Sequence, residues 1–104
     1  MIETYLNSGS IIFAMKVYLV GHSGPEHNLI ISVHRTREGA LKAWNRIRIN
    51  LKREAAEGYA YWKPKGESVS IYEGMIKNLS CKDPALINNY PWETPYIDER
   101  ELED

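Results

Sequence analysis

The chain has 104 residues, of which 43% are hydrophobic and 26% are charged, so its composition is that of one ordinary globular domain. Its formal net charge of −1 excludes a uniformly basic nucleic-acid coat protein. The single cysteine, Cys81, excludes an intramolecular disulfide, and we therefore expect a reducing, cytoplasmic setting. The longest apolar run, at residues 11–15, is too short to cross a bilayer, so no membrane partner is expected.

Two apolar segments near the N-terminus predict a pair of strands. The first is expected at about 12–21 and the second, which is rich in β-branched residues, at 29–34. The segment between them, 21–28, contains two glycines, a proline and an asparagine, and it therefore predicts a turn. We expect an antiparallel hairpin whose connection is longer than a tight two-residue turn.

The clearest pattern predicts a helix from about Arg37 to Glu57. Thr36 is a suitable N-cap, and Glu38 lies in the first turn, where the helix dipole favours negative charge. Apolar residues recur three or four positions apart along this segment, as on one face of a helix: Ala40, Leu41, Trp44, Ile47, Leu51 and Ala55. Gly58 then stands at a position typical of a helix C-cap.

Beyond that glycine the pattern is weaker. Residues 59–62 alternate as a short strand does, and 63–66 contain the proline and glycine of a turn. Residues 69–72 fit a strand, but Ser68 also fits the N-cap of a helix that would continue to Leu79, and both alternatives stay open. Residues 94–102 are expected to close the sheet as a last strand.

These elements predict an α+β fold, a small single domain in which an antiparallel sheet carries one long amphipathic helix on one face. We expect this domain at 11–104, after a flexible leader at 1–10, although Met15 is also a suitable start for the folded part. The core is expected to contain seven apolar residues: Leu19, Ile31, Val33, Leu41, Trp44, Ile47 and Leu51.

Charge is segregated along the chain. Residues 34–65 contain nine basic and three acidic residues, a net charge of +6, whereas 83–104 contain one basic and seven acidic residues, a net charge of −6. In one interpretation the acidic segment packs beside the basic helix of its own chain, where exposed ion pairs contribute little. In another, one of the two patches steers an external partner. An ordinary solvated helix face is the third alternative.

The motifs that usually carry catalysis are missing or incomplete. The chain has no glycine-rich phosphate loop and no complete nucleophile elbow. His22 and His27 share the predicted turn with Glu26, but two histidines in such a loop are typical of solvated side chains, and we expect no metal site. Cys81 has no histidine near it in the sequence and is interpreted as a small, partly buried side chain. We therefore expect no enzyme activity and no cofactor.

The segment 59–65 places three aromatic residues beside two lysines. Such a group suits core filling, a protein contact or stacking on single-stranded nucleic acid, and all three stay open here. A second aromatic group lies among prolines at 90–96. From these groups and the basic helix we select nine candidate partner-binding residues: Arg46, Arg53, Tyr59, Tyr61, Trp62, Lys63, Lys65, Tyr90 and Trp92.

Several short motifs resemble small uncharacterised proteins of bacteriophages and bacteria. They are MKVYLV at 15–20, the second strand at 31–33 and REGALKAW at 37–44, and the acidic end at 95–102 is also similar. The resemblance covers about half of the chain and has no counterpart for 59–90. It implies an accessory protein, with no catalytic residues to carry over, that binds a host protein in the host cytoplasm.

The sequence thus predicts a small non-enzymatic protein-binding module, which inhibits a host defence or triggers it. The alternative is a nucleic-acid-binding protein that uses the basic helix and the segment 59–65. A small hydrolase or metal enzyme is the third hypothesis. An apolar edge strand also favours a homodimer.

Overall fold

The structure, a computed structural model, describes residues 14–88 and 93–103. Three antiparallel strands form one sheet in the order β2-β1-β3: β1 Ala14–Gly24, β2 His27–His34 and β3 Thr94–Glu103. Two helices accompany it: α1 Arg37–Trp62 and α2 Ser70–Leu79. The α+β class is confirmed, and so is the predicted last strand. The predicted leader at 1–10 lies outside the described residues.

The hairpin is tighter than its sequence indicates. A two-residue turn, Pro25 and Glu26, joins β1 to β2, and strand pairing continues up to Gly24 opposite His27. The expected long loop is therefore wrong. The physical reason is that β1 is the central strand, so its polar end is held in hydrogen-bonded register by β2 on one side and β3 on the other.

Helix α1 begins where the sequence predicts, at Arg37, and the Thr36 hydroxyl accepts a hydrogen bond from the Gly39 amide at 3.0 Å. It ends later than predicted, at Trp62, so the short strand predicted at 59–62 is wrong. Gly58 is not a C-cap but an interior residue of the helix.

A helix–helix contact explains the interior glycine. A Cβ atom at position 58 would collide with the ring of Tyr72 on α2, so glycine lets the two helices approach closely. The helix stops instead through a 3₁₀ turn, Lys63–Lys65, which contains Pro64. Gly66, with φ of +79°, provides the left-handed residue that closes this turn. A helix that ends at Leu79 is confirmed by α2, but Ser68 is not its N-cap, since Val69 occupies that position and α2 begins at Ser70.

The core lies between α1 and the sheet. Val20, Ala40, Ala43 and Trp44 form its buried centre. Half-buried apolar residues surround that centre: Tyr18, Ile47, Ile87 and Ile97. Of the predicted core residues, Trp44 and Leu51 are buried, and three are half-buried: Leu19, Leu41 and Ile47.

The prediction that Ile31 and Val33 are core residues is wrong, since they are 56% and 58% exposed. Val33 lies opposite Leu19, and strand alternation turns this pair away from the face that carries Val20 and α1. Ile31 has no partner in the register because β2 bulges there. In addition, α1 packs more extensively on β1 and β3 than on β2, so β2 is the strand that α1 covers least.

Candidate functional site

Five of the nine candidate partner-binding residues meet at the C-terminal end of α1. They occupy its last turn and the 3₁₀ turn that follows, and we call them the α1-end patch: Tyr59, Tyr61, Trp62, Lys63 and Lys65. The ring of Tyr61 lies edge-to-face with that of Trp62, with their centroids 4.8 Å apart. These two side chains are 58% and 38% exposed, so core filling is wrong for Trp62, whereas Tyr59 is half-buried.

Each lysine of the patch lies over a tyrosine ring. The Lys65 ammonium lies 4.3 Å from the ring centroid of Tyr61, and that of Lys63 lies 5.0 Å from the ring centroid of Tyr59. Lys63 also donates a hydrogen bond to the Tyr59 hydroxyl at 2.6 Å. This hydrogen bond, together with the nearby charge of Glu73, raises the pKa of Lys63 above its ordinary value. The patch is therefore an ordered surface that combines apolar rings with positive charge.

The other candidate residues do not join the patch. Arg46 is exposed, but it lies about 22 Å from Tyr61 along the helix axis at the usual rise per residue. Arg53 is closer and exposed, with Glu57 at 3.9 Å as its ion-pair partner. Tyr90 and Trp92 lie outside the described residues.

Two acidic residues of β3 form their ion pairs within the sheet and not with the basic helix. Glu99 pairs with Lys16 of β1 at 3.2 Å, and Asp98 pairs with Arg100 of its own strand at 2.8 Å. Among the side chains that the structure describes at 94–101 of β3, none forms an ion pair with a basic residue of α1. The exposed basic side chains of α1 thus lack a partner among these β3 residues, although Arg53 pairs with Glu57 of its own helix.

A second polar group lies at the hairpin end of the sheet, and we call it the His–Glu cluster: His22 on β1, His27 on β2 and Glu93 just before β3. One carboxylate oxygen of Glu93 contacts Nδ1 of His22, and the other lies 2.6 Å from Nε2 of His27. The two imidazole rings are perpendicular, with their centroids 6.1 Å apart. Gly24 makes room for this arrangement, since a Cβ atom there would collide with the Glu93 carboxylate.

The sequence indicates only part of this cluster. The two histidines were expected in a solvated loop, but both lie on strands, and the His22 side chain is only 19% exposed. Glu26, their neighbour in the sequence, is exposed in the turn and is not a member. Glu93 is 71 residues from His22, and only the pairing of β3 with β1 brings them together.

A cavity of about 340 Å³ borders the cluster. His22 and Glu93 form one wall, and three apolar side chains form much of the rest: Ile31, Ile47 and Leu51. Glu54 of α1 also lines the cavity, so a second carboxylate borders this space. The space between the hairpin and the middle of α1 is therefore lined by apolar side chains with polar groups at its edge.

The edge strand β2 exposes four large apolar side chains: Leu29, Ile30, Ile31 and Val33. An exposed strand edge of this kind offers unpaired backbone groups to another chain. The homodimer expected from the sequence stays a prediction.

Cys81 follows α2, is half-buried, and its thiol donates a hydrogen bond to the Asp83 carbonyl at 3.5 Å. Its interpretation as a small, partly buried side chain is confirmed. The partners of the three histidines are residues other than Cys81. His22 and His27 contact Glu93, and His34 contacts Ser32.

Comparison with protein-family models, with curated proteins and with solved structures finds no match to this chain in any of the three. Neither helix that the structure describes has the length and apolar character needed to cross a membrane.

Proposed function

We propose that this chain is a small non-enzymatic protein-binding module whose contact surface is the α1-end patch. The observation that carries the proposal is that the rings of Tyr61 and Trp62 contact each other edge-to-face and are exposed instead of packed in the core. Tyrosine and tryptophan are enriched among the residues that dominate binding energy at protein interfaces. Rings that already support one another lose less conformational freedom on binding, which favours affinity.

The chemistry of the patch favours a partner segment that presents acidic groups next to an apolar side chain. Lys63 and Lys65 hold their ammonium groups over tyrosine rings, so positive charge and apolar surface are presented together. The positive face of α1, with Arg53 one to two turns away, would increase the rate of encounter with such a partner. The resemblance to bacteriophage accessory proteins favours a partner from the infected host, either a defence component that is inhibited or a sensor that is triggered.

Affinity capture from a nuclease-treated bacterial lysate, followed by mass spectrometry, identifies a candidate partner, which is then purified. Its affinity is measured for the wild type and for Trp62→Ala/Lys65→Glu. We expect at least about a 30-fold loss, which corresponds to the hot-spot threshold of about 2 kcal/mol. The matched control is Ile71→Ala, because Ile71 is a large apolar residue on α2, outside the patch and even more exposed than Trp62, and it should leave the affinity within about twofold.

Two results would contradict the proposal. If the patch variant binds the purified partner as tightly as the Ile71→Ala control, the contact surface lies elsewhere. If the captured material disappears on nuclease treatment and its binding weakens steeply with salt, the nucleic-acid alternative replaces the protein-binding function.

A further inference from the structure

We infer that the His–Glu cluster binds one divalent transition-metal ion of the zinc class, with His22, His27 and Glu93 as its protein ligands. Two imidazole nitrogens and one carboxylate oxygen form a donor set that Zn²⁺ and the neighbouring first-row ions use in proteins. This inference is independent of the proposed function, because the cluster shares no residue with the α1-end patch.

The ligands are positioned by rigid backbone. His22 and His27 lie on paired strands that are joined by a two-residue turn, and Glu93 directly precedes the strand on the other side of β1. The two histidines therefore start from paired strand positions, and Glu93 adjoins the first paired residue of β3, at the same end of the sheet. A site built on strands holds its geometry better than one built on a long loop.

The donor atoms are close enough to converge on one ion. They all lie within 4.8 Å of one another. With metal–ligand bonds of about 2.0–2.1 Å, tetrahedral ligand atoms are about 3.4 Å apart. Rotations that move the donor atoms by about an ångström would reach that geometry. The His27 side chain is 45% exposed and has the space to make such an adjustment.

The carboxylate already occupies a bridging position. Each oxygen of Glu93 contacts a different imidazole, so Glu93 lies between the two rings that would share the ion with it. The absence of a side chain at Gly24 leaves the space that the carboxylate needs. The same three residues also form a metal-free hydrogen-bonded cluster, and binding of the ion would replace those hydrogen bonds with coordination.

The cavity gives the site an open side. Because His22 and Glu93 line it, an ion held by them would direct a remaining coordination position into this space. Three protein ligands and one open position are typical of zinc sites that bind water or a small anion, whereas closed structural sites use four protein ligands.

The test uses the full chain without an affinity tag, stripped of metal with a chelator. Zn²⁺ is titrated by calorimetry, and Co²⁺ is used as an optical probe of coordination. We expect one ion per chain and a higher melting temperature with Zn²⁺. His22→Ala, His27→Ala and Glu93→Gln should each weaken Zn²⁺ binding by at least about 100-fold, the upper end of what changes to outer-shell partners cost.

The matched control is His34→Ala, which removes the third histidine. His34 also lies on β2, but it contacts the Ser32 hydroxyl at 2.7 Å and is not part of the cluster. We expect this variant to bind Zn²⁺ as the wild type does. The inference is overturned if the wild type binds Zn²⁺ no more tightly than His27→Ala, or if His34→Ala loses binding to the same extent. His27 is the more exposed ligand, so His27→Ala decides the question even if His22→Ala does not fold.

Discussion

Arg46 and Arg48 are two residues apart on α1, yet their surroundings are opposite. Arg46 is exposed, whereas Arg48 is 5% exposed and lies between the two helices. The Arg48 guanidinium donates one hydrogen bond to the Leu79 carbonyl at 2.7 Å and another to the Asn45 side chain at 3.0 Å. Its central carbon lies 5.8 Å from the ring centroid of Trp44. Arg48 therefore joins the end of α2 to the core.

We expect Arg48→Met to lower the free energy of unfolding by about 2–3 kcal/mol. Leu79 is the last residue of α2 and is fully buried, so its carbonyl has no other helical donor, and leaving it unsatisfied costs about 1–3 kcal/mol. Loss of the contact with Trp44 adds about 1 kcal/mol to this destabilisation. Removal of the buried positive charge of Arg48 offsets part of the sum. Methionine has a helix propensity close to that of arginine and fills most of the same side-chain volume. Changes in helix stability and packing should therefore contribute little to the difference.

Urea unfolding followed by far-ultraviolet circular dichroism and by tryptophan fluorescence measures this difference. For a domain of this size, 2–3 kcal/mol corresponds to a fall in melting temperature of about 10–20 °C. The control Arg46→Met should change the stability by no more than about 0.5 kcal/mol. Arg48→Lys should be intermediate, because an ammonium cannot reproduce the forked guanidinium geometry. If Arg48→Met and Arg46→Met are equally stable, the structural role assigned to Arg48 is wrong.

Two further predictions concern packing and titration. Gly58→Ala should destabilise the domain by about 1 kcal/mol, because the collision with Tyr72 outweighs the gain in helix propensity, and the sign should reverse in a Tyr72→Ala background. A double-mutant cycle from denaturant titrations checks this coupling. Burial, and to a smaller extent the charge of Asp98, raise the pKa of Tyr96 above its ordinary value of about 10. Stability should therefore fall as the pH rises above about 10, and Tyr96→Phe should remove part of that fall in alkaline unfolding curves.

The predicted elements depend on local signals, and they fail where a distant contact decides. A glycine after an amphipathic segment has the same local signature whether it caps a helix or lies inside one. At Gly58 the deciding residue is Tyr72, which is 14 positions further along and packs on the glycine surface. The prediction of a helix end was therefore reasonable from local sequence and wrong in the fold.

The prediction of which strand residues are buried from local sequence has the same limit. Alternation assigns the residues of β2 to two faces, but it does not say which face a helix covers or whether the strand lies at an edge. α1 packs mainly over β1 and β3, and the bulge at Ile31 interrupts the alternation within β2. Ile31 and Val33 are apolar and β-branched as core strand residues are, and yet both remain exposed.

The two candidate sites differ in whether their residues are close together in the sequence or are brought together by the fold. The α1-end patch is built from residues within seven positions, so the sequence alone groups its members, and the fold adds that four of them are exposed and that Tyr59 is half-buried.

The His–Glu cluster depends on the register of β3 against β1, in which Ser23 is opposite Thr94. This register brings Glu93 beside Gly24, whose missing side chain accommodates the carboxylate. A shift of one residue would exchange the faces of β3 and turn Glu93 away from both histidines. No local sequence signal near Glu93 selects this register. The two histidines are evident in the sequence, but Glu93, the third member of the cluster, joins them only in the folded sheet.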